Sequence, residues 1–207
     1  MKPMKNKPDL NPEKGAVRQV RRFFYELGKS FFVAEPDEAK VAGWRQVCCS
    51  LAGEIPDPAV AGSVRRLAGL LEDLELQRIQ EEYYDLFVNP FSVRQVNWTA
   101  SYYLDGHHFG RRLVEVRQLM AASGYVKEEY KEPEDSLPVL LDLMVRMIET
   151  ENAENEVATQ ERLRRDFLEP VVAGISQRLQ QLEGVEFYSA CAEFLQSWLR
   201  MEDNCLG

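Results

Sequence analysis

The sequence predicts an all-α fold, a single globular helical bundle of about eight to eleven helices with essentially no strand. Three observations predict it. Apolar residues recur at spacings of three and four along most of the 207 residues, the mark of helices with one buried face. Pro36, Pro56, Pro58, Pro90 and Pro133 fall between those stretches, where they bound helices rather than interrupt them. No Asn-Gly or Asp-Gly pair joins two alternating runs, since Asp105-Gly106 is followed by His107-His108, so the chemistry of a β-hairpin is missing. No internal repeat of fixed period is present.

The elements follow in order. Val17, Val20, Phe23, Phe24 and Leu27 predict a first helix over 15–29. Pro36-Asp37 opens a second, whose stripe is Val41, Trp44, Val47, Cys48 and Leu51 and whose end lies near Gly53. The prolines of EIPDP make residues 54–58 a loop. A third helix begins near Ala59 and carries Val64, Leu67, Leu70, Leu71 and Leu74. It either continues, or breaks and restarts, through Ile79 and Tyr83 into Phe87, and Asn89-Pro90 ends it. Residues 91–105 are rich in aromatic and β-branched side chains without alternation, and read as an ordered loop with room for a helical turn. Residues 109–123 are helical, with Leu113, Val116, Leu119 and Met120 inward and Gly124 as the stop. Pro133 breaks the chain before a helix over 136–151. Polar residues 151–156 form a loop or a solvated helix start. Two further helices are expected over 157–182, interrupted near Pro170, and over 185–200.

A chain of this length fits one medium domain, and at 45% hydrophobic residues it can fill a core without disulfides or metal. Residues 1–14 are expected to be a flexible basic tail and 15–207 the domain. The net charge of -9 disfavours nucleic acid as a partner. The charge is uneven. Residues 127–156 hold ten acidic and three basic side chains, whereas residues 1–30 hold eight basic and three acidic. Cys48, Cys49, Cys191 and Cys205 show no CxxC spacing, so free thiols are expected rather than a zinc site. No apolar run is long enough to span a bilayer, and the first fifteen residues lack the apolar stretch of a secretory signal. A cytoplasmic location is expected.

The segment from Tyr83 to Met147 carries the functional signal. Tyr83, Leu86 and Phe87 share one helical face at offsets of three and four. Such a stripe is commonly core. Asn97-Trp98 and Tyr102-Tyr103 sit in the loop region, and combine apolar area with a polar tip, which suits a peptide-binding surface as well as a folded-back core. His107-His108 beside Asp105 is a weak metal signal. A metal-dependent helical enzyme built on them is the least supported alternative, since no Gly-rich phosphate loop accompanies them. Glu132-Pro133-Glu134-Asp135-Ser136 precedes an apolar helix. Asp135 or Ser136 can cap that helix, and the same carboxylates can meet a cationic ligand.

Taken together, these segments resemble the TorD/DmsD/NarJ family of redox-enzyme maturation chaperones, over about residues 70–199. One family hallmark is matched by Tyr83, Leu86 and Phe87, then Pro90, Trp98, Ser101-Tyr102-Tyr103-Leu104-Asp105 and Phe109-Gly110. The other hallmark resembles Glu132, Pro133, Asp135 and Ser136, where relatives carry His in place of Ser136. Phe167-Leu168, Pro170 and Phe187-Tyr188 are similar to the family's last helices. The loop reads VNWTAS where many members have two prolines before the aromatic.

The resemblance implies a TorD-like, non-enzymatic, cytoplasmic chaperone without cofactor. Its partner would be the precursor of a molybdenum-containing oxidoreductase, bound through its twin-arginine signal peptide or N-terminal region and held for cofactor insertion before export. Assembly of a redox enzyme that is not exported is the alternative. The implied peptide-binding residues are Tyr83, Leu86, Phe87, Trp98, Tyr102, Glu132, Glu134, Asp135 and Ser136, with Ser136 giving a neutral hydrogen bond. A monomer is expected, with a domain-swapped dimer as the variant known among relatives.

Overall fold

The computed structural model describes residues 12–125, 132–150 and 154–206. Those residues form ten α-helices and two π-helical turns, and the single β-type contact among them is an isolated bridge between Thr99 and Ser136. The all-α expectation is met.

Helix α1 (Pro12–Phe32) begins earlier and ends later than the periodicity implied. Residues 12–14 therefore belong to a helix and not to the expected tail, whose remainder lies outside the described residues. Phe24, Tyr25, Leu27, Phe31 and Phe32 face the core, but Val17, Val20 and Phe23 stay in solvent at 46%, 47% and 39% exposure. The buried face is thus narrower than the expected stripe, of which it keeps Phe24 and Leu27, and it includes buried Arg21.

Helix α2 (Glu38–Leu51) starts where Asp37 accepts the Lys40 N–H at 2.8 Å. Helix α3 (Pro58–Asp73) starts where Asp57 accepts the Ala59 and Val60 N–H groups, with Pro58 in the first turn. The chain breaks at extended Leu74 and restarts as α4 (Leu76–Tyr83), settling the open choice in favour of a break. A π-helical turn follows at Tyr84–Val88, closed by the Asn89 N–H to the Tyr84 carbonyl at 2.8 Å. Residues 91–105, expected as loop, contain α5 (Ala100–Asp105), closed by Gly106 at φ 77°. Helix α6 (Arg111–Ala122) ends before Gly124 at φ 63°.

Helix α7 (Leu137–Thr150) buries nearly its whole surface, including Leu137, Leu140, Leu141, Met144 and Ile148, and packs mainly on α1. Helix α8 (Glu154–Leu163) and α9 (Glu169–Gln180) are separated by a second π-helical turn (Arg164–Leu168), which interrupts the α-helix just ahead of Pro170, near where the interruption was expected. Helix α10 (Phe187–Leu206) packs on α3, α9 and α1. Residues 126–131 and 151–153, part of the acidic stretch, lie outside the described residues.

Rings fill the centre. Phe24 stacks on Trp198 at 4.5 Å between centroids, and Trp44 on Phe187 at 5.7 Å. Two buried polar links join distant parts of the chain. Arg21 donates to Glu202 at 2.7 Å, and the Tyr25 hydroxyl donates to the same carboxylate. Glu82, fully buried on α4, accepts the N–H groups of Glu186, Phe187 and Tyr188 at 3.0, 3.1 and 3.3 Å, and so caps α10.

Candidate functional site

The two segments singled out in the sequence meet in space, and the backbone joins them. The Ala100 N–H donates to the Asp135 carbonyl and the Leu137 N–H to the Trp98 carbonyl, both at 2.8 Å, on either side of the Thr99–Ser136 bridge. The Asp135 carboxylate then accepts the Ser101 N–H at 2.8 Å. It caps α5, a helix it is not part of. The local cap of α7 expected from Asp135 or Ser136 is replaced by this longer-range one. The Ser136 backbone carbonyl still receives the Leu140 N–H at 2.9 Å, but among the described residues its hydroxyl has no hydrogen-bond partner, and neither has the Ser101 hydroxyl.

The aromatic residues are graded by depth. Leu86 is fully buried and Tyr83 is 5% exposed. Burial, with the fields of Glu132 and Glu35, pushes the Tyr83 phenol up to about 12. Phe87 and Trp98 are half-buried and stack at 4.8 Å with their planes 8° apart. Phe87 also meets Tyr188 edge-on at 5.1 Å and Phe32 at 5.9 Å. Tyr102 stands 43% exposed on α5, its ring 5.2 Å from Tyr103 and 5.6 Å from His108. Tyr103 turns inward, donates to the Asn97 carbonyl at 2.7 Å, and lies so close to Gly174 of α9 that a Cβ there would enter its ring.

Glu132 and Glu134 are half-buried at the start of this turn, and Glu134 pairs with Arg117 of α6 at 3.2 Å. Asp135 and Ser136 are 1% and 0% exposed. A ligand can reach Tyr102, Glu132 and Glu134 directly, and Phe87 and Trp98 at the margin of their stack. Tyr83, Leu86, Asp135 and Ser136 are covered, so contact between Asp135 and a ligand's guanidinium requires this turn to open.

The family model for the nitrate reductase delta subunit matches residues 55–176. The chain belongs to this family. The match spans both the Tyr83–Tyr102 segment and the Glu132–Ser136 turn, and it agrees with the resemblance read from those motifs. The structure is similar to that of a candidate redox enzyme maturation protein from Archaeoglobus fulgidus, with a TM-score of 0.55 at 16% identity, over 97% of this chain and 99% of that one. At that identity the likeness concerns the fold. No curated protein matches the chain in sequence.

In this nitrate reductase delta subunit family member the histidines do not build a metal centre with Asp105. Asp105 accepts the Arg112 N–H at 2.8 Å and caps α6, while His107 and His108 are exposed, and His108 lies 3.1 Å from the Asn97 amide. Among the described residues no three His, Cys, Asp or Glu side chains converge. Cys48 and Cys191 are buried and free, and Cys49 is free and exposed. No described helix is long and apolar enough to cross a membrane.

Sequence reasoning named Asn97 and Tyr188 without giving them this role and missed Phe32; all three hold the site's aromatic residues from behind. Tyr188 comes from α10, far along the chain, and no local pattern announces it. Asn97 was legible in principle, because its side chain accepts the Thr99 N–H at 3.0 Å in the short-range turn that Asn favours.

Proposed function

We propose that this chain is a redox-enzyme maturation chaperone that binds the signal peptide or N-terminal region of an immature molybdenum-containing oxidoreductase. It holds that segment while cofactor is inserted and the enzyme is assembled, before export, and it does so in the cytoplasm without catalysis. The observation that carries this reading is the juncture of the two family segments. The Trp98–Leu137 and Ala100–Asp135 hydrogen bonds join the segment that carries exposed Tyr102 to the turn that carries Glu132 and Glu134.

In this reading Tyr102 and the outer edge of the Phe87–Trp98 stack bury apolar side chains of the client, at roughly 25 cal/mol per Å² of apolar surface. Glu132 and Glu134 meet its basic residues, with Arg117 yielding Glu134 to an incoming arginine. Such exposed pairs contribute only about 0–1 kcal/mol each, so apolar burial supplies most of the affinity. Tyr83 and Leu86 support the stack from below. Asp135 and Ser136 fix α5 and Tyr102, and become ligand contacts only if the turn opens.

Affinity capture from the native host, with mass spectrometry of the bound proteins, tests the reading. A molybdenum oxidoreductase precursor retaining its twin-arginine segment is the expected client. A client without an export signal would move the role to assembly of a non-exported enzyme. Reproducible capture of proteins unrelated to redox enzymes would contradict the reading.

A further inference from the structure

Phe91 and Val93 are 92% and 89% exposed, the most exposed large apolar side chains described. Single exposed hydrophobes are ordinary, but this loop is tied down along its length. Asn89 accepts the Phe91 N–H at 3.1 Å through its side chain, and Ser92 accepts the Arg94 N–H at 3.1 Å. The Val96 N–H reaches the Leu86 carbonyl at 2.9 Å, and Val96 itself is buried. From α9, Arg178 donates to the Val93 carbonyl at 2.9 Å, while Arg94 reaches the Glu183 carbonyl at 3.1 Å and Asp85 at 3.3 Å. Two arginines and two turn side chains therefore hold a pair of apolar side chains in water. Tyr84 and Val88, 51% and 47% exposed on the preceding π-helical turn, extend the apolar surface.

The loop adjoins an acidic cleft. Asp85, which Arg94 grips, is a wall of a groove of about 380 Å³ whose other carboxylates are Glu35 and Glu81 and whose apolar wall is Tyr84. Arg78, the cationic residue of that groove, donates to the Gly184 carbonyl at 2.8 Å. At the start of α4 a further groove, of about 540 Å³, carries Glu38, Glu72, Asp73 and Glu75. Its arginine, Arg45, is bound to the Leu71 carbonyl. Loop and adjoining cleft together call for one chemistry, a segment in which basic residues adjoin apolar ones.

We propose that the loop of Phe91 and Val93, with the Glu35–Glu81 cleft, is a second docking surface, for a client polypeptide segment in which lysine or arginine stands beside a run of large apolar side chains. The proposal rests on the chaperone reading and adds to it a contact region outside the Tyr102 face. The apolar residues cover Phe91 and Val93, and the cations enter the cleft. Because the loop is already fixed, little ordering entropy is lost on docking.

Fluorescence anisotropy tests it with a labelled synthetic peptide of two adjacent arginines followed by a leucine-rich run. The proteins are the wild type, the double variant Phe91→Asp/Val93→Asp, the double variant Glu35→Lys/Glu81→Lys, and Tyr102→Ala. All five substituted positions are at the surface, and circular dichroism melts check that each variant folds. The expected result is binding by the wild type, a loss of about tenfold or more for the Asp pair, and a several-fold loss for the Lys pair that disappears when the peptide's arginines are glutamines. Wild-type affinity in the Asp pair, with a loss in Tyr102→Ala, overturns this inference and leaves the chaperone reading standing. A wild-type dimer that becomes monomeric in the Asp pair, with peptide affinity unchanged, also overturns it, by making the loop a contact between copies. A wild type that binds no such peptide and captures no redox precursor sinks both readings.

Discussion

The carboxylate of Asp135 accepts the backbone N–H of Ser101 at 2.8 Å, across 34 positions of chain. The acidic turn therefore organises the aromatic helix opposite it. A carboxylate that satisfies a buried N–H of a helix start stabilises twice, by the hydrogen bond and by its charge at the positive helix end.

Asp135→Ala is expected to destabilise the protein by about 1–3 kcal/mol, since it leaves a buried donor unsatisfied. Tyr102→Ala, on the exposed side of the same helix, should stay within about 0.5 kcal/mol of the wild type. Urea denaturation of the three proteins checks both. An Asp135→Ala protein as stable as the wild type would show that its carboxylate is not a structural cap.

Glu82 is the corresponding cap for α10, and its burial raises its carboxyl above the ordinary value of 4.5. A carboxyl with a raised folded value holds its proton more tightly in the fold than in the unfolded chain. Its contribution to stability is therefore most favourable below 4.5 and declines as pH rises through the raised value. Glu82→Gln should lose that decline, so its stability relative to the wild type should rise between acid and neutral pH. Glu82→Ala should be destabilised by about 2 kcal/mol or more at any pH, because three N–H groups lose their acceptor. Denaturation curves across the pH range measure both effects.

The Arg21–Glu202 pair, at 5% and 0% side-chain exposure, joins α1 to the last helix. Glu202→Ala should cost about 3–5 kcal/mol, because the buried guanidinium loses its carboxylate and keeps a neutral acceptor in Gln160 at 2.7 Å. Arg21→Met combined with Glu202→Leu should cost less than the single change. Thermal unfolding of the two proteins reads the order, and a double variant less stable than the single would contradict it.

Helix positions were legible because periodicity records which face is buried, and Asp37, Asp57 and Gly124 mark ends through purely local bonds. The partners of Asp135, Glu82 and Arg21 were not. Each closes onto a residue 34 to 181 positions away, and spacing along the chain carries no record of such pairs. The outward turn of Val17, Val20 and Phe23 was misread because an apolar stripe wider than the buried face has the same pattern in sequence as one that is fully covered. Tyr83 and Trp98 both pack against Phe87, and the depth of that cluster depends on Tyr188 and Phe32, which come from α10 and α1.

Thiol reactivity gives an independent check on the packing. Burial pushes the Cys48 thiol up to about 12 and the Cys191 thiol well above its ordinary range, whereas Cys49 faces solvent. A short iodoacetamide pulse at neutral pH, followed by peptide mapping, should find Cys49 alkylated and Cys48 and Cys191 protected, since the thiolate is the reactive form. Equal labelling of Cys48 and Cys49 would mean that α2 does not pack as described.

The most direct test of the chaperone reading is a calorimetric titration of the purified protein with the N-terminal peptide of its captured client. The wild type should bind with a negative heat-capacity change, the sign of apolar burial, and Tyr102→Ala should bind about tenfold or more weakly. Heats of the wild type indistinguishable from dilution would contradict the account, because the joined aromatic and acidic segments would then have no polypeptide to hold.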